Sequence, residues 1–139
     1  MINLEQRNQL VSMRIEQAEL AVRRVESCLA EGKFEIAANR IYYGMFYAML
    51  ALGLLRGFET SRHQQMQGWF NKHFVHTGIF PNSFTGLVKR AFKARSDADY
   101  EVDKIPSSAE FEAMLADMKI FISTVKSWIE ANPVHSSEP

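Results

Sequence analysis

The feature that most constrains the fold is an uncharged run of 15 residues between Arg40 and Arg56. From Ile41 to Leu55 every residue is apolar or aromatic except Gly44 and Gly53. A helix that is apolar on all sides must be buried on all sides, and this run is shorter than the ~20 residues that a bilayer requires. The run therefore predicts the central helix of a soluble helical bundle, over residues 34–56.

Apolar residues recur at spacings of three and four in four other segments, which is the pattern of amphipathic helices. We therefore predict an all-α fold: an up-and-down four-helix bundle with one additional short helix. The predicted single domain spans residues 1–131, and the polar tail 132–139 is expected to be disordered. Side chains suited to capping the four outer helices are Asn3 with Gln6, Thr60 or Ser61, Asn82 or Ser83, and Ser107 with Glu110.

The residue inventory argues against several classes of site. Cys28 is the only cysteine, so neither an intrachain disulfide nor a cysteine-based metal cluster is expected. There is no Gly-rich phosphate loop and no Glu-x-x-His pair. His73 and His76 lack a third ligand nearby, so we predict neither a metal site nor a cofactor. No apolar run follows the first charges, which favours a cytoplasmic protein without membrane association.

The net charge is zero, but the charges are segregated along the chain. Residues 60–96 carry six basic side chains and no acidic one, whereas residues 97–139 carry nine acidic and three basic side chains. Two interpretations remain open: the acidic last helix packs beside the basic segment and neutralises it, or the basic segment faces phosphate. In the second case the candidate binding residues are Lys89, Arg90 and Lys93.

Two polar sets interrupt the apolar pattern of the predicted helices. Asn39, Arg40 and Tyr43 begin the buried stripe of the central helix, where they either form a hydrogen-bond network or line a polar cleft. Arg95, Asp99 and Tyr100 end the fourth helix, where Asp99 either forms a local salt bridge or holds Arg95 for binding phosphate. Each set is therefore a candidate structural network and a candidate binding site.

His63 lies in the first turn of the third predicted helix. The positive end of the helix dipole disfavours an imidazolium there. His63 is thus either a surface or capping histidine, or a neutral imidazole that can accept a proton.

The order and spacing of these motifs resemble one family. The segment Asn39-Arg-Ile-Tyr-Tyr-Gly-Met-Phe46 is followed by Gly57, His63, Phe70-x-x-x-Phe74-Val-x-x-Gly78 and Arg95-x-x-x-Asp99-Tyr100. This pattern resembles the small stand-alone HEPN proteins (higher eukaryotes and prokaryotes nucleotide-binding) over nearly the whole chain. The resemblance implies a helical bundle that forms a homodimer, and a minimal nucleotidyltransferase as partner in a toxin–antitoxin-like pair.

Active members of that family are metal-independent endoribonucleases with an Arg-x4–6-His motif at a cleft between protomers. Arg95 matches the arginine, but residues 100–102 are Tyr-Glu-Val, so the histidine is missing. The resemblance therefore implies a protein that binds a nucleotide, nucleic acid or partner protein, and an endoribonuclease remains the alternative. In that alternative Arg95 and Arg40 would stabilise the pentacovalent phosphate, and His63 or Tyr100 would transfer the proton.

Overall fold

The protein folds into an all-helical bundle. A computed structural model describes residues 2–100 and 105–133, except for the side chains of Asp99 and Tyr100. Within these residues the α-helices are α1 (Leu4–Ala30), α2 (Phe34–Arg56), α3 (His63–Phe70), α4 (Ser83–Tyr100) and α5 (Ser108–Ala131), and a π-helical turn (Asn71–Val75) continues α3. The predicted all-α class is confirmed. The predicted disordered tail lies outside the described residues from position 134 onward.

Two of the predicted helix starts are confirmed by reciprocal capping boxes. The Asn3 side chain accepts from the Gln6 backbone at 2.8 Å, and the Gln6 side chain accepts from the Asn3 backbone at 3.0 Å. Ser107 and Glu110 form the same pair of hydrogen bonds at the start of α5. Such boxes satisfy two backbone N–H groups that a helix start leaves without partners, so these positions begin their helices for a local reason.

The prediction that Thr60 or Ser61 caps α3 is wrong. The N-cap residue is Arg62, whose side chain forms no capping hydrogen bond. Thr60 Oγ1 instead accepts a hydrogen bond from the Arg62 backbone at 3.1 Å, inside the connection that precedes the helix. The hydroxyl thus stabilises a turn rather than a helix start, and the helix begins at His63.

Contacts between the long helices define an up-and-down arrangement. Arg7 in α1 donates to the Leu54 carbonyl in α2 at 3.2 Å, and Ala21 lies beside Gly44, so these helices run antiparallel. Lys126 and Lys119 of α5 pair with Glu19 and Glu26 of α1 respectively, which makes α1 and α5 antiparallel as well. The aromatic contact of Phe84 with Phe121 and the pair Arg90–Asp117 do the same for α4 and α5.

Helix α2 lies at the centre of this bundle, as predicted, and packs against α1, α4 and α5. It ends at Gly57, whose φ of 76° suits a residue without a side chain. The helix is not buried on every side, because Tyr43, Tyr47 and Leu50 remain half-buried and form one stripe at spacings of four and three. None of the helices in residues 2–100 and 105–133 is both long and apolar enough to cross a membrane.

The π-helical turn inserts one extra residue into the helical segment that begins with α3. The His76 backbone N–H donates to the Asn71 carbonyl at 2.8 Å, five residues back. Phe74 is fully buried within this turn and packs against Phe80 and Trp128. Such turns break the α-helical register and are common at functional sites, and here His63 lies two turns before it on the same helical segment.

Candidate functional site

The candidate site lies where the first half of α2, the first turn of α3 and the second half of α4 meet. Tyr43 of α2 is its centre. The guanidinium carbon of Arg40 lies 5.4 Å from the centroid of the Tyr43 ring, and that of Arg95 lies 5.6 Å from it. These distances are typical of cation–π contacts, which hold a cation against an aromatic face. The structure therefore brings Arg95 together with Arg40 and Tyr43, although 55 residues separate the two arginines in sequence.

His63 belongs to the same cluster. Its ring stacks on Phe46 with centroids 4.5 Å apart and on Tyr42 at 5.4 Å, and it meets Tyr43 edge-on at 5.5 Å. Its Nδ1 lies 2.8 Å from the Tyr42 hydroxyl, and Gln67 Nε2 donates to that same hydroxyl at 3.0 Å. The ring plane of His63 is thus held by aromatic packing, and one of its nitrogens is already hydrogen bonded.

The electrostatics of the cluster favour a neutral histidine. Burial lowers the pKa of His63 below its ordinary value of 6.5, and the positive charge of Arg95 lowers it further. Burial also raises the pKa of Tyr42 to about 12, although the hydrogen bond from Gln67 opposes that shift. Both effects favour the neutral imidazole, which is one of the two interpretations that the sequence left open, and their causes are burial and Arg95 rather than the helix dipole.

Asn39 acts on Arg40 rather than on Tyr43. The side-chain oxygen of Asn39 accepts from both Nε and Nη2 of Arg40, at 3.0 and 2.7 Å. All three residues are half-buried, so the guanidinium is oriented without being withdrawn from solvent. Asn39 therefore has a definite structural role, which is to fix the Arg40 fork beside the aromatic ring.

The second predicted binding set lies on another face of α4. Lys89, Arg90 and Lys93 are all exposed, but helical geometry directs them away from Arg95. Lys93 pairs with Asp97 at 2.6 Å, and Arg90 lies 3.9 Å from Asp117 of α5. The acidic last helix thus partly neutralises this face, and the groove between α4 and α5 contains both signs of charge.

Two further histidines, His73 and His76, stand apart from the cluster. The side chains of Asp99 and Tyr100 lie outside the described residues. The ring of His73 contacts Trp69, with centroids 5.4 Å apart, whereas His76 is exposed. Among the described residues, no three His, Cys, Asp or Glu side chains come close enough together to hold a metal ion.

Comparison with known proteins decides the family. The model of the HEPN domain matches residues 11–128, most of the chain. The chain belongs to the HEPN family. Similar proteins include "Putative toxin MJ0142" of Methanocaldococcus jannaschii, 27% identical over 124 residues that cover 89% of this chain and 84% of that protein. They also include a UPF0332 protein of Thermotoga maritima, 35% identical over 85 residues that cover 56% of this chain and 64% of that protein. "Putative toxin MJ0605" of Methanocaldococcus jannaschii is 27% identical over 90 residues, covering 65% of this chain and 66% of that protein.

Sequence reasoning missed two members of the site in this HEPN domain. Tyr42 was indistinguishable from the apolar core of its helix, and Gln67 was one of several glutamines in α3. A usable signal did exist for Tyr42, because a tyrosine inside a fully apolar run needs a hydrogen-bond partner when it is buried. That partner is His63 together with Gln67, 21 and 25 residues away.

The chemistry available to this HEPN cluster is that of an anion site beside aromatic rings. Guanidinium groups recognise phosphate through parallel N–H donors, and aromatic faces stack on bases. Arg40, Arg95, Tyr43 and His63 supply both kinds of group within one cluster. The same set also contains a neutral imidazole next to a cation, which is the minimum for proton transfer at a phosphate.

Proposed function

We propose that this HEPN protein is the toxin-like member of a two-gene pair and that it binds a nucleotide or RNA at the cluster around Tyr43. Two relatives whose names begin "Putative toxin" support the general role. The observation that carries the binding proposal is the approach of Arg40 and Arg95 to one half-buried tyrosine ring, at 5.4 and 5.6 Å. Two cations beside an aromatic face suit a phosphate next to a stacked base.

Two observations favour binding over cleavage. The sequence lacks the histidine of the Arg-x4–6-His motif. The histidine that the fold supplies instead, His63, has its Nδ1 already hydrogen bonded to Tyr42. A general base needs a free lone pair within reach of the proton that it removes, so this hydrogen bond leaves only Nε2 for that role.

The binding proposal is tested by measuring RNA affinity as a function of salt concentration. Each phosphate contact releases counterions, so Arg95→Gln should weaken binding and reduce the slope of log affinity against log salt by about one. Arg40→Gln should act in the same direction. Arg24→Gln is the matched control, because Arg24 is exposed on α1 and lies outside the cluster. Equal salt slopes for wild type, Arg95→Gln and Arg24→Gln would contradict the proposal.

The predicted surface of Lys89, Arg90 and Lys93 is proposed only as a secondary contact. Charge reversal at these three positions separates it from the cluster because the two sets lie on different faces of α4. If RNA wraps around the helix, the reversal should also flatten the salt slope. If the slope stays at the wild-type value while Arg95→Gln reduces it, this surface is not a nucleic-acid contact.

A metal-independent endoribonuclease is the second candidate, favoured by a neutral His63 in the field of Arg95. In that reaction Nε2 of His63 would take the 2′-hydroxyl proton, which requires the imidazole's own proton to lie on Nδ1, and Arg95 would stabilise the pentacovalent phosphate. Incubation with transfer and messenger RNA in EDTA should then give products that disappear in Arg95→Ala and His63→Ala. Cleavage by both variants at the wild-type rate would eliminate this site as the active centre.

We also propose a homodimer and a minimal nucleotidyltransferase partner. The half-buried stripe of Tyr43, Tyr47 and Leu50 supports an interface, because aromatic residues are enriched at such surfaces. Light scattering should give twice the chain mass of 15.9 kDa. A monomer mass at micromolar concentration would rule out a stable dimer. Co-purification with the product of an adjacent reading frame tests the partner, and an adjacent frame that encodes no small nucleotidyltransferase would count against it.

A further inference from the structure

The Tyr42 hydroxyl is the middle member of a short hydrogen-bond chain. Gln67 Nε2 donates to its oxygen at 3.0 Å, and His63 Nδ1 lies 2.8 Å from it on the other side. A phenol has a single proton to donate. Gln67 is a donor here, and Nδ1 of His63 is the other partner of this oxygen among the described residues, so the phenol proton finds an acceptor there only if it points at Nδ1.

This direction determines where the imidazole carries its own proton. A neutral imidazole has one N–H and one acceptor nitrogen, and an Nδ1 that accepts from Tyr42 leaves the proton on Nε2. We propose that Gln67, acting through the hydroxyl of Tyr42, holds His63 in the Nε2–H tautomer, so that His63 presents a hydrogen-bond donor to the cluster. Gln67 is thus a positioning residue, four residues after the histidine that it orients.

The packing around His63 prevents the ring flip that would exchange Nδ1 with Cδ2. The ring lies nearly parallel to Phe46 and to Tyr42, with interplanar angles of 17° and 19°. A 180° rotation about the bond from Cβ would sweep the imidazole through both neighbours. Nδ1 therefore stays on the Tyr42 hydroxyl, and Nε2 forms no hydrogen bond with the described residues.

The surroundings also keep His63 in the neutral form, in which the tautomer matters. Within the described part of the chain, the charged or titratable groups that face it are Tyr42 and Tyr43 of α2 and Arg95 of α4. Burial and the charge of Arg95 both lower the pKa of His63, and no acidic side chain among the described residues contributes to its shift. A donor at Nε2 would suit a phosphate oxygen. That ligand assignment rests on the proposed function, whereas the tautomer does not.

The tautomer is measured in the free protein by ¹⁵N–¹H correlation of the imidazole nitrogens at alkaline pH. The signals of the four histidines are assigned by the set that His63→Asn removes. Wild type should show an unprotonated Nδ1 and a protonated Nε2. A protonated Nδ1 in wild type would overturn the proposal directly.

Gln67→Glu tests the role of the amide. A carboxylate at this position can only accept, so the Tyr42 hydroxyl would donate its hydrogen bond to that carboxylate instead of to His63. Nδ1 would then have to carry the imidazole proton in order to donate to the Tyr42 oxygen. The expected spectrum is therefore the inverse of that of wild type. Gln64→Glu is the matched control, with the same charge change on an exposed residue of α3, and should keep the wild-type pattern. A Gln67→Glu spectrum without inversion would contradict the proposal.

Tyr42→Phe provides a second variant if Gln67→Glu fails to fold. It keeps the ring and removes the hydroxyl that acts as the relay between Gln67 and His63, so His63 should become a mixture of tautomers. Tyr47→Phe should change nothing. A wild-type pattern in Tyr42→Phe would show that the relay does not set the tautomer.

RNA binding is scored separately. The predicted tautomer without RNA binding would overturn the proposed function alone, and RNA binding with the opposite tautomer would overturn this inference alone.

Discussion

The Met118 methyl group of α5 occupies the space that a Cβ atom on Gly44 of α2 would need. The Cβ of Ala21, in α1, would lie only 3.1 Å from that Cβ atom on Gly44. Three helices therefore converge on a position without a side chain. Because packed interiors leave few voids, the absence of a side chain at Gly44 is what permits this close approach.

Gly44→Ala should therefore destabilise the bundle, because Met118 is fully buried and its terminal methyl group has little room to move aside. Overpacking costs about 1–3 kcal/mol, which exceeds the roughly 1 kcal/mol that alanine gains over glycine in a helix. Gly68→Ala is the matched control, because Gly68 lies in α3 and a Cβ there would meet nothing within 4 Å. Urea unfolding should show a loss for the first variant and a gain of about 0.5–1 kcal/mol for the second. A stabilised Gly44→Ala variant would contradict this description of the core.

Acid should destabilise the protein partly through His63. Its folded-state pKa is lower than the 6.5 of the unfolded chain, so the unfolded state binds more protons as pH falls through that value. The contribution of neutral His63 to the free energy of unfolding is fully present above about pH 6.5 and is lost as pH falls from there toward the folded-state pKa. His63→Gln should lose stability less steeply than wild type over this range in urea titrations. His76→Gln, at an exposed position, should follow wild type, and identical slopes for all three proteins would refute the prediction.

Arg56 should stabilise the far end of the bundle. Its guanidinium carbon lies 5.1 Å from the Phe74 ring centroid and 5.3 Å from that of Trp128. Arg56→Gln should therefore cost about 0.5–1 kcal/mol and change the fluorescence of Trp128. Arg24→Gln, on the exposed side of α1, should stay within about 0.5 kcal/mol of wild type. Equal unfolding midpoints for the two variants would show that this contact contributes nothing.

The capping box of α5 should contribute measurably to stability. Ser107→Ala removes the acceptor for the Glu110 backbone N–H and should cost about 1 kcal/mol. Ser108→Ala changes the next residue, inside the helix and exposed, and should be nearly neutral. The two variants differ by one position, so a comparison of their thermal midpoints isolates the cap. Equal midpoints would mean that the box has no net effect.

Local signals in the sequence were sufficient for most of the fold. The uncharged run after Arg40 identified the central helix, and the spacing of Asn3 and Gln6 identified the start of α1. Both signals act within a few residues, where side-chain chemistry and helix geometry leave few alternatives. The face of Lys93 could also have been separated from that of Arg95, since two residues along a helix point in different directions.

The site was less accessible because its decisive contacts are long-range. Nothing near Gln67 indicates that it meets Tyr42, and nothing near Arg7 indicates that it donates to a carbonyl 47 residues away. Such contacts depend on how whole helices pack. The sequence could therefore nominate Arg40, Tyr43, His63 and Arg95 individually, while the relation between them required the tertiary structure.

The π-helical turn at Asn71–Val75 fixes how far the candidate site is rotated about the helix axis relative to the hydrophobic core. An α-helix advances by about 100° per residue, so deleting one residue there would rotate everything before it by about that angle relative to Phe74. Either His63 would leave Tyr42 or Phe74 would leave its aromatic neighbours. A chain shortened by one residue here would keep its helices and nearly all of its composition and would still lose one of these two alignments. The length of this segment is therefore what keeps the candidate site and the core aligned.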